Sequence, residues 1–252
     1  MWIVLAAALF LPDGSAIARG ATADVTDRQS HTVALPQGKA VTIELTVGSV
    51  RLEGWDRADT AELTIERRAP AAAQFARLPL QFEDTPSRIV IRALQIDEGT
   101  DPALTTAIVL RVPRTALIER ISILEGKLSM SGFSGSLTGD VRRGPIDGQH
   151  VSGILRLSCE IGSITLTAAR LSDNGLLRLR SFNGDVRLTL AERPANARIL
   201  ALALNGHIKS EIPLRVKDSW GPRWGEATIG NGEPVISIDV VTGTIEIKSP
   251  ES

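Results

Sequence analysis

The stretch that decides the fold is residues 126–166, GKLSMSGFSGSLTGDVRRGPIDGQHVSGILRLSCEIGSITL. Its glycines, Gly126, Gly135, Gly144, Gly153 and Gly162, fall nine residues apart each time. Three of them open the same unit, Gly-x-apolar-x-apolar: Gly126-Lys-Leu-Ser-Met, Gly153-Ile-Leu-Arg-Leu and Gly162-Ser-Ile-Thr-Leu. An alternation of period two marks a strand with one buried face. Leu128, Leu155, Leu157, Ile164 and Leu166 therefore point inward, and Lys127, Ser163 and Thr165 point outward. Glycine tolerates the backbone angles of a tight corner. A strand of about five residues and a corner of about four account for the beat.

Working outward, the unit recurs as Gly48-Ser-Val-Arg-Leu, Gly175-Leu-Leu-Arg-Leu, Gly184-Asp-Val-Arg-Leu and Gly243-Thr-Ile-Glu-Ile, with weaker copies at Gly135, Gly144, Gly206 and Gly225. Two units make a coil of 18 residues, or 22 where the step enlarges, from Gly162 to Gly175 and from Gly184 to Ala197. Stacked coils would bury each inward stripe and pair each strand with its neighbours above and below. The expectation is an all-β fold: a single-stranded, right-handed β-helix (a β-solenoid) with an irregular β-rich N-terminal half. Its corners are Gly126, Gly135, Gly144, Gly153, Gly162, Gly175, Gly184, Gly206, Gly225 and Gly243. The extra residues of the enlarged steps, around 168–173 and 191–195, should meet in a ridge on one edge, a common place for binding in repeat proteins.

Four segments follow. Residues 1–23 read as a secretory signal, with the apolar run Trp2–Leu11 and a small-residue site at Ala21-Thr-Ala23, although no Lys or Arg precedes the run. Residues 24–120 lack the beat but hold strand-like runs that continue or cap the stack. Residues 121–248 carry the repeats, and 249–252 form a polar tail. The apolar run is too short to span a bilayer, and no transmembrane segment is expected after cleavage. The chain is then exported, to the periplasm or the cell surface.

Composition narrows the function. With 252 residues, 22 Gly and a 43% hydrophobic content, the chain is neither collagen-like nor disordered. A single cysteine, Cys159, permits no internal disulfide. A net charge of −1 gives no basis for nucleic-acid binding. No Gly-x-Ser-x-Gly, phosphate loop or metal-ligand spacing occurs, so no catalytic residue, cofactor or metal is expected. Cys159 falls on inward parity, as a core residue. A glycan-active site would need clustered carboxylates. The nearest approach to that is Asp147 and Asp185, expected two coils apart on one face.

Two sets of residues are candidates for ligand contact. One is the turn-rich segment 217–225 with Trp220, Arg223 and Trp224; the alternative is that its tryptophans pack as a lid. The other is Arg156 above Arg178, with Arg180 nearby. Stacked like charges cost energy unless an acid or an anionic ligand offsets them. A polyanionic glycan or lipid headgroup would do so; solvated arginines lying over Ile154 and Leu176 are the plainer reading.

Gly184-Asp-Val-Arg-Leu, Asn205-Gly-His-Ile and the run from Ile229 to Ile247 resemble the bacterial putative-adhesin family, well over about 120–247 and weakly over 40–55. The resemblance implies an exported or envelope-associated protein on a single-stranded β-helix, and it brings no catalytic residues. The reading is of a non-enzymatic, adhesin-like protein for binding or scaffolding in the envelope. Its partner is expected to be an envelope glycan, an anionic lipid or another envelope protein. A polysaccharide lyase or hydrolase and a regulatory envelope partner are the alternatives.

Overall fold

The computed structural model describes residues 24–96, 99–217 and 221–250. The expected signal segment, 1–23, lies outside the described residues, as does Trp220. Strands take 67% of the described residues and helix 3%, so the fold is all-β. In chain order they are β1 (Val25–Ala34), β2 (Ala40–Trp55), β3 (Thr60–Ala69), β4 (Leu80–Asp84), β5 (Arg88–Ala93) and β6 (Thr105–Pro113). Then come β7 (Leu117–Ser131), β8 (Ser136–Arg143), β9 (Ile146–Gln149), β10 (Ile154–Ile161), β11 (Ile164–Ala169) and β12 (Leu176–Asn183). The last are β13 (Val186–Leu190), β14 (Ala197–Ser210), β15 (Arg215–Lys217), β16 (Arg223–Ile229) and β17 (Val235–Lys248).

The single-stranded β-solenoid expected from the beat is not what forms. Eight parallel strands close into a barrel, in the order β7-β8-β10-β12-β17-β13-β11-β9 and back to β7. The remaining strands lie outside it. Closure comes from two long strands that each serve both walls. The first part of β7 pairs with β8 and its end with β9; likewise β17 pairs first with β12 and then with β13. Between them the chain alternates from one wall to the other. Ile154 pairs with Ser136, 18 residues earlier, and Leu176 with Ile154, 22 residues earlier. The beat thus reports the step between parallel neighbours. It carries no information on whether the two walls join at their ends.

The inward stripes fill the barrel. Leu128, Leu155, Leu157, Ile164, Leu166, Leu177, Leu179, Val186, Leu188, Ile245 and Ile247 are all buried. A nearly continuous cluster of Leu, Ile and Val forms the core, with Phe133 its largest fully buried side chain. Outside the ring, β2 lies parallel on β7, with β5 and β6 parallel to β2. β1, β3 and β4 add antiparallel pairings there. At the other side β14 lies parallel on β17, and β16 and β15 follow antiparallel.

The corner glycines resolve into columns. A Cβ built on Gly126 would stand 1.6 Å from the Gly48 carbonyl oxygen; on Gly144, 1.7 Å from that of Gly126; on Gly184, 2.0 Å from that of Gly162. Gly162, Gly243 and Gly206 continue this column. Gly135, Gly153 and Gly175 form the second, on the other corner. Only a residue without a side chain lets the backbones come this close, and Gly126 and Gly184 also have φ of 146° and 154°. Gly225 is no corner: it lies within β16, paired with Ala201.

Candidate functional site

One outer face gathers most of the sequence-derived candidates. It is the solvent side of β8, β10, β12, the first half of β17, β14, β16 and β15. Strand pairing sets out its rows. The first runs Thr138, Arg156, Arg178, Ser237, Leu200, Glu226, Arg215. The second runs Asp140, Ser158, Arg180, Asp239, Leu202, Trp224, Lys217. Inward neighbours such as Leu155, Leu157, Leu177 and Leu179 lock the strands, so the outward side chains have fixed Cα positions about 4.8 Å apart across strands.

Arg156 and Arg178 stand side by side on β10 and β12, both exposed, as the stacking predicted. Among the described residues, neither they nor Arg180 has an ion-pair or hydrogen-bond partner for its side chain. Their neighbours are engaged elsewhere. Asp140 accepts from Ser158 Oγ at 2.5 Å and lies 3.6 Å from Arg120. Glu226 pairs with Arg198 at 3.1 Å. Asp239 stands beside Arg180, while Arg156 and Arg178 have only each other, Thr138 and Ser237 as cross-strand neighbours.

The segment 217–225 differs from its expected form. Arg223 and Trp224 lie in a strand, not a loop, and adjacent strand residues face opposite ways. Trp224 shares the outer face with Arg178, opposite Leu202 and Lys217, and the Lys217 ammonium lies 5.7 Å from its ring centroid. Arg223 instead pairs with buried Ala203, donates to the Gly206 carbonyl at 2.7 Å and contacts His207 Nδ1. It ties β16 to β14.

The second wall is electrically balanced. Asp147 meets Lys127 at 2.6 Å, Asp185 meets Arg187 at 2.6 Å, and Glu246 meets Lys248 at 2.9 Å. The Glu246 carboxyl is held below its ordinary range by the Lys248 hydrogen bond, with burial opposing and the charges of Lys248, Arg187 and Lys209 adding to it. A carboxylate kept ionised in this way suits no general-acid role. Cys159 is buried, and its Sγ lies 3.1 Å from the Gly144 carbonyl oxygen. Burial, then the Glu160 charge, raises the thiol pKa to about 11. Among the described residues, no group of three His, Cys, Asp or Glu side chains is placed to hold a metal ion. The enlarged corners do come together: Leu171, Asp173, Glu192 and Arg193 help line one cleft of about 430 Å³.

No family model and no curated protein sequence matches the chain. It is similar to a solved putative cell adhesion protein from Clostridium sporogenes, at 12% identity and a TM-score of 0.47, over 90% of this chain and 100% of that one. A putative adhesin from Bacteroides fragilis is 13% identical with a TM-score of 0.42, over 88% and 97%. A putative lipid binding protein from Parabacteroides distasonis is 12% identical with a TM-score of 0.32, over 88% and 96%. The adhesin name that the sequence resemblance implied is thus the one carried by structures similar to this chain. Scores below 0.5 transfer no site, and the candidate face rests on this chain's own residues.

Sequence reasoning missed the third row of this face. Phe182 lies between Ser181 and Asn183, whose partners on β17 are Val240 and Thr242, and so stands beside Val241. Val241 in turn stands beside Leu204. Phe182 is 61% exposed and Leu204 42%, and Ile161, across from Asn183, is 54% exposed. A signal existed: Phe182 has the same parity as outward Arg178 and Arg180, and Leu200, Leu202 and Leu204 alternate with buried alanines.

Proposed function

We propose that this is an exported, non-enzymatic binding protein of the cell envelope, and that it holds an anionic partner on the outer face of β10, β12, β17, β14 and β16. One observation carries the reading: Arg156 and Arg178 stand directly opposite each other on adjacent strands, flanked by Thr138 and Ser237, and neither has an ion-pair partner among the described residues. Like charges directly opposite across a ladder destabilise it. An anion bound there would remove that cost and gain charge-assisted, bidentate hydrogen bonds. Export rests on the leader-like residues 1–23. The carboxylates of the second wall are each tied to a cation, which favours contact over glycan cleavage.

The test is a glycan array that includes sulfated and phosphorylated polymers. Wild type should bind the anionic members, and Arg156→Ser with Arg178→Ser should lose at least about tenfold in affinity. Equal binding by the two proteins, or turnover of any glycan by the wild type, would overturn the reading.

A further inference from the structure

The geometry points to an anionic lipid bilayer as the partner of this face, with the strip Phe182–Val241–Leu204 entering the acyl boundary. This rests on the reading above and names its ligand. The face is tiered along the strand direction. Its third row, at the corner where the first wall ends, is apolar across three adjacent strands, with Val241 half-buried between exposed Phe182 and Leu204. Two residues back, about 6.6 Å by strand rise, stand Arg180, Trp224 and Lys217. Two further back stand Arg156, Arg178 and Arg215, with Glu226 in the same row tied to Arg198 one row beyond. That order matches the depth profile of a membrane surface. Apolar side chains reach the acyl boundary, an indole and cations sit at headgroup level, and more cations lie in the diffuse anionic layer.

Charge complementarity selects this occupant over a protein groove. The acids of the first two rows are Asp140, Asp239 and Glu226; Asp140 is engaged by Ser158 and Glu226 by Arg198, which leaves Arg156, Arg178, Arg215 and Lys217 as an excess of positive charge. The third row continues on β10 and β8 as the ion pair Glu160–Arg142, at 2.8 Å, and so adds no net charge. The strip is three strands wide, about 10 Å, which suits shallow insertion more than a protein interface of standard size.

The experiment is vesicle co-sedimentation of the full chain with large unilamellar vesicles of phosphatidylglycerol and phosphatidylcholine, and of phosphatidylcholine alone. Soluble dextran sulfate is the headgroup-free anion. Wild type should bind the anionic vesicles, bind phosphatidylcholine at least about tenfold more weakly, and lose binding with added salt. Phe182→Ser with Leu204→Ser should weaken anionic-vesicle binding about tenfold or more while keeping the wild-type melting temperature and dextran sulfate affinity. Vesicle binding equal in wild type and variant, or equal on both lipids, would overturn the inference. So would a wild-type dimer in sedimentation that the variant abolishes, since the strip would then face protein. Binding of dextran sulfate without vesicles defeats the lipid assignment and leaves the anion-binding reading standing; binding of neither defeats both.

Discussion

A Cβ at position 144 would lie 1.7 Å from the carbonyl oxygen of Gly126, where φ is 131° and the obstacle is backbone. Nothing there can rotate away. Gly144→Ala is expected to cost about 2 kcal/mol or more, read as a lower melting temperature, and Gly184→Val more still. Gly225→Ala is the contrast. Its Cβ would meet side chains and no backbone, Leu214 at 3.2 Å and Ile208 at 3.8 Å, so the change should stay within about 1 kcal/mol. Equal losses at 144 and 225 would refute the column as the source of the constraint. The corner columns were legible in the sequence because one residue type marks them at a fixed interval. Gly225 was misread because composition cannot separate a glycine at a corner from one inside an antiparallel strand. Cys159 was read correctly as core from parity alone. With its pKa near 11, roughly a thousandth of the thiol is ionised at pH 8. A thiol-reactive dye should leave the folded protein unlabelled on a timescale that labels the unfolded chain fully.

At the scale of the element, strand β12 bears two opposed demands. Its inward side, Leu177 and Leu179, is buried in the barrel, while its outward side places Arg178 beside Arg156. Removing one of the two arginines relieves repulsion and deletes a contact at once. Arg178→Ser should therefore leave stability unchanged or raise it by a few tenths of a kcal/mol, read as an equal or slightly higher melting temperature, while weakening binding to anions. A solvated arginine with no binding role would give the first effect without the second, and a structural arginine would lower the melting temperature. The pairing of these side chains was legible because β10 and β12 both follow the beat. Strand β16 was not. Its residues pair antiparallel with β14, and nothing in the period of 217–225 reveals the partner that turns a Trp- and Gly-containing stretch into a strand. Trp224 and Arg223 looked like one site in sequence and stand on opposite faces because of that pairing.

At the scale of the molecule, the open question for the sequence was closure. A beat of nine residues describes the step between parallel neighbours and is the same whether two walls stay separate or meet. What joins them here is the length of β7 and β17, 15 and 14 residues, running through the Gly126 and Gly243 corners without a break in strand structure. Closure removes free edges from the ring and leaves them to the outer strands. Stability should be graded accordingly, since strands paired on both sides around a buried core open only with the whole fold. The middle strands β8, β10 and β12 each have a parallel partner on both sides and a buried inner stripe. β15 is three residues long, exposed throughout, and pairs only with β16. Amide hydrogen exchange should therefore be slowest in β8, β10 and β12 and fastest, among the strands, in β15. Walls that did not share β7 and β17 would instead break those strands at the Gly126 and Gly243 corners, and the corner amides would exchange early. In a closed ring they should be protected along their full length, Gly126 and Gly243 included, and early exchange at those two corners would contradict closure.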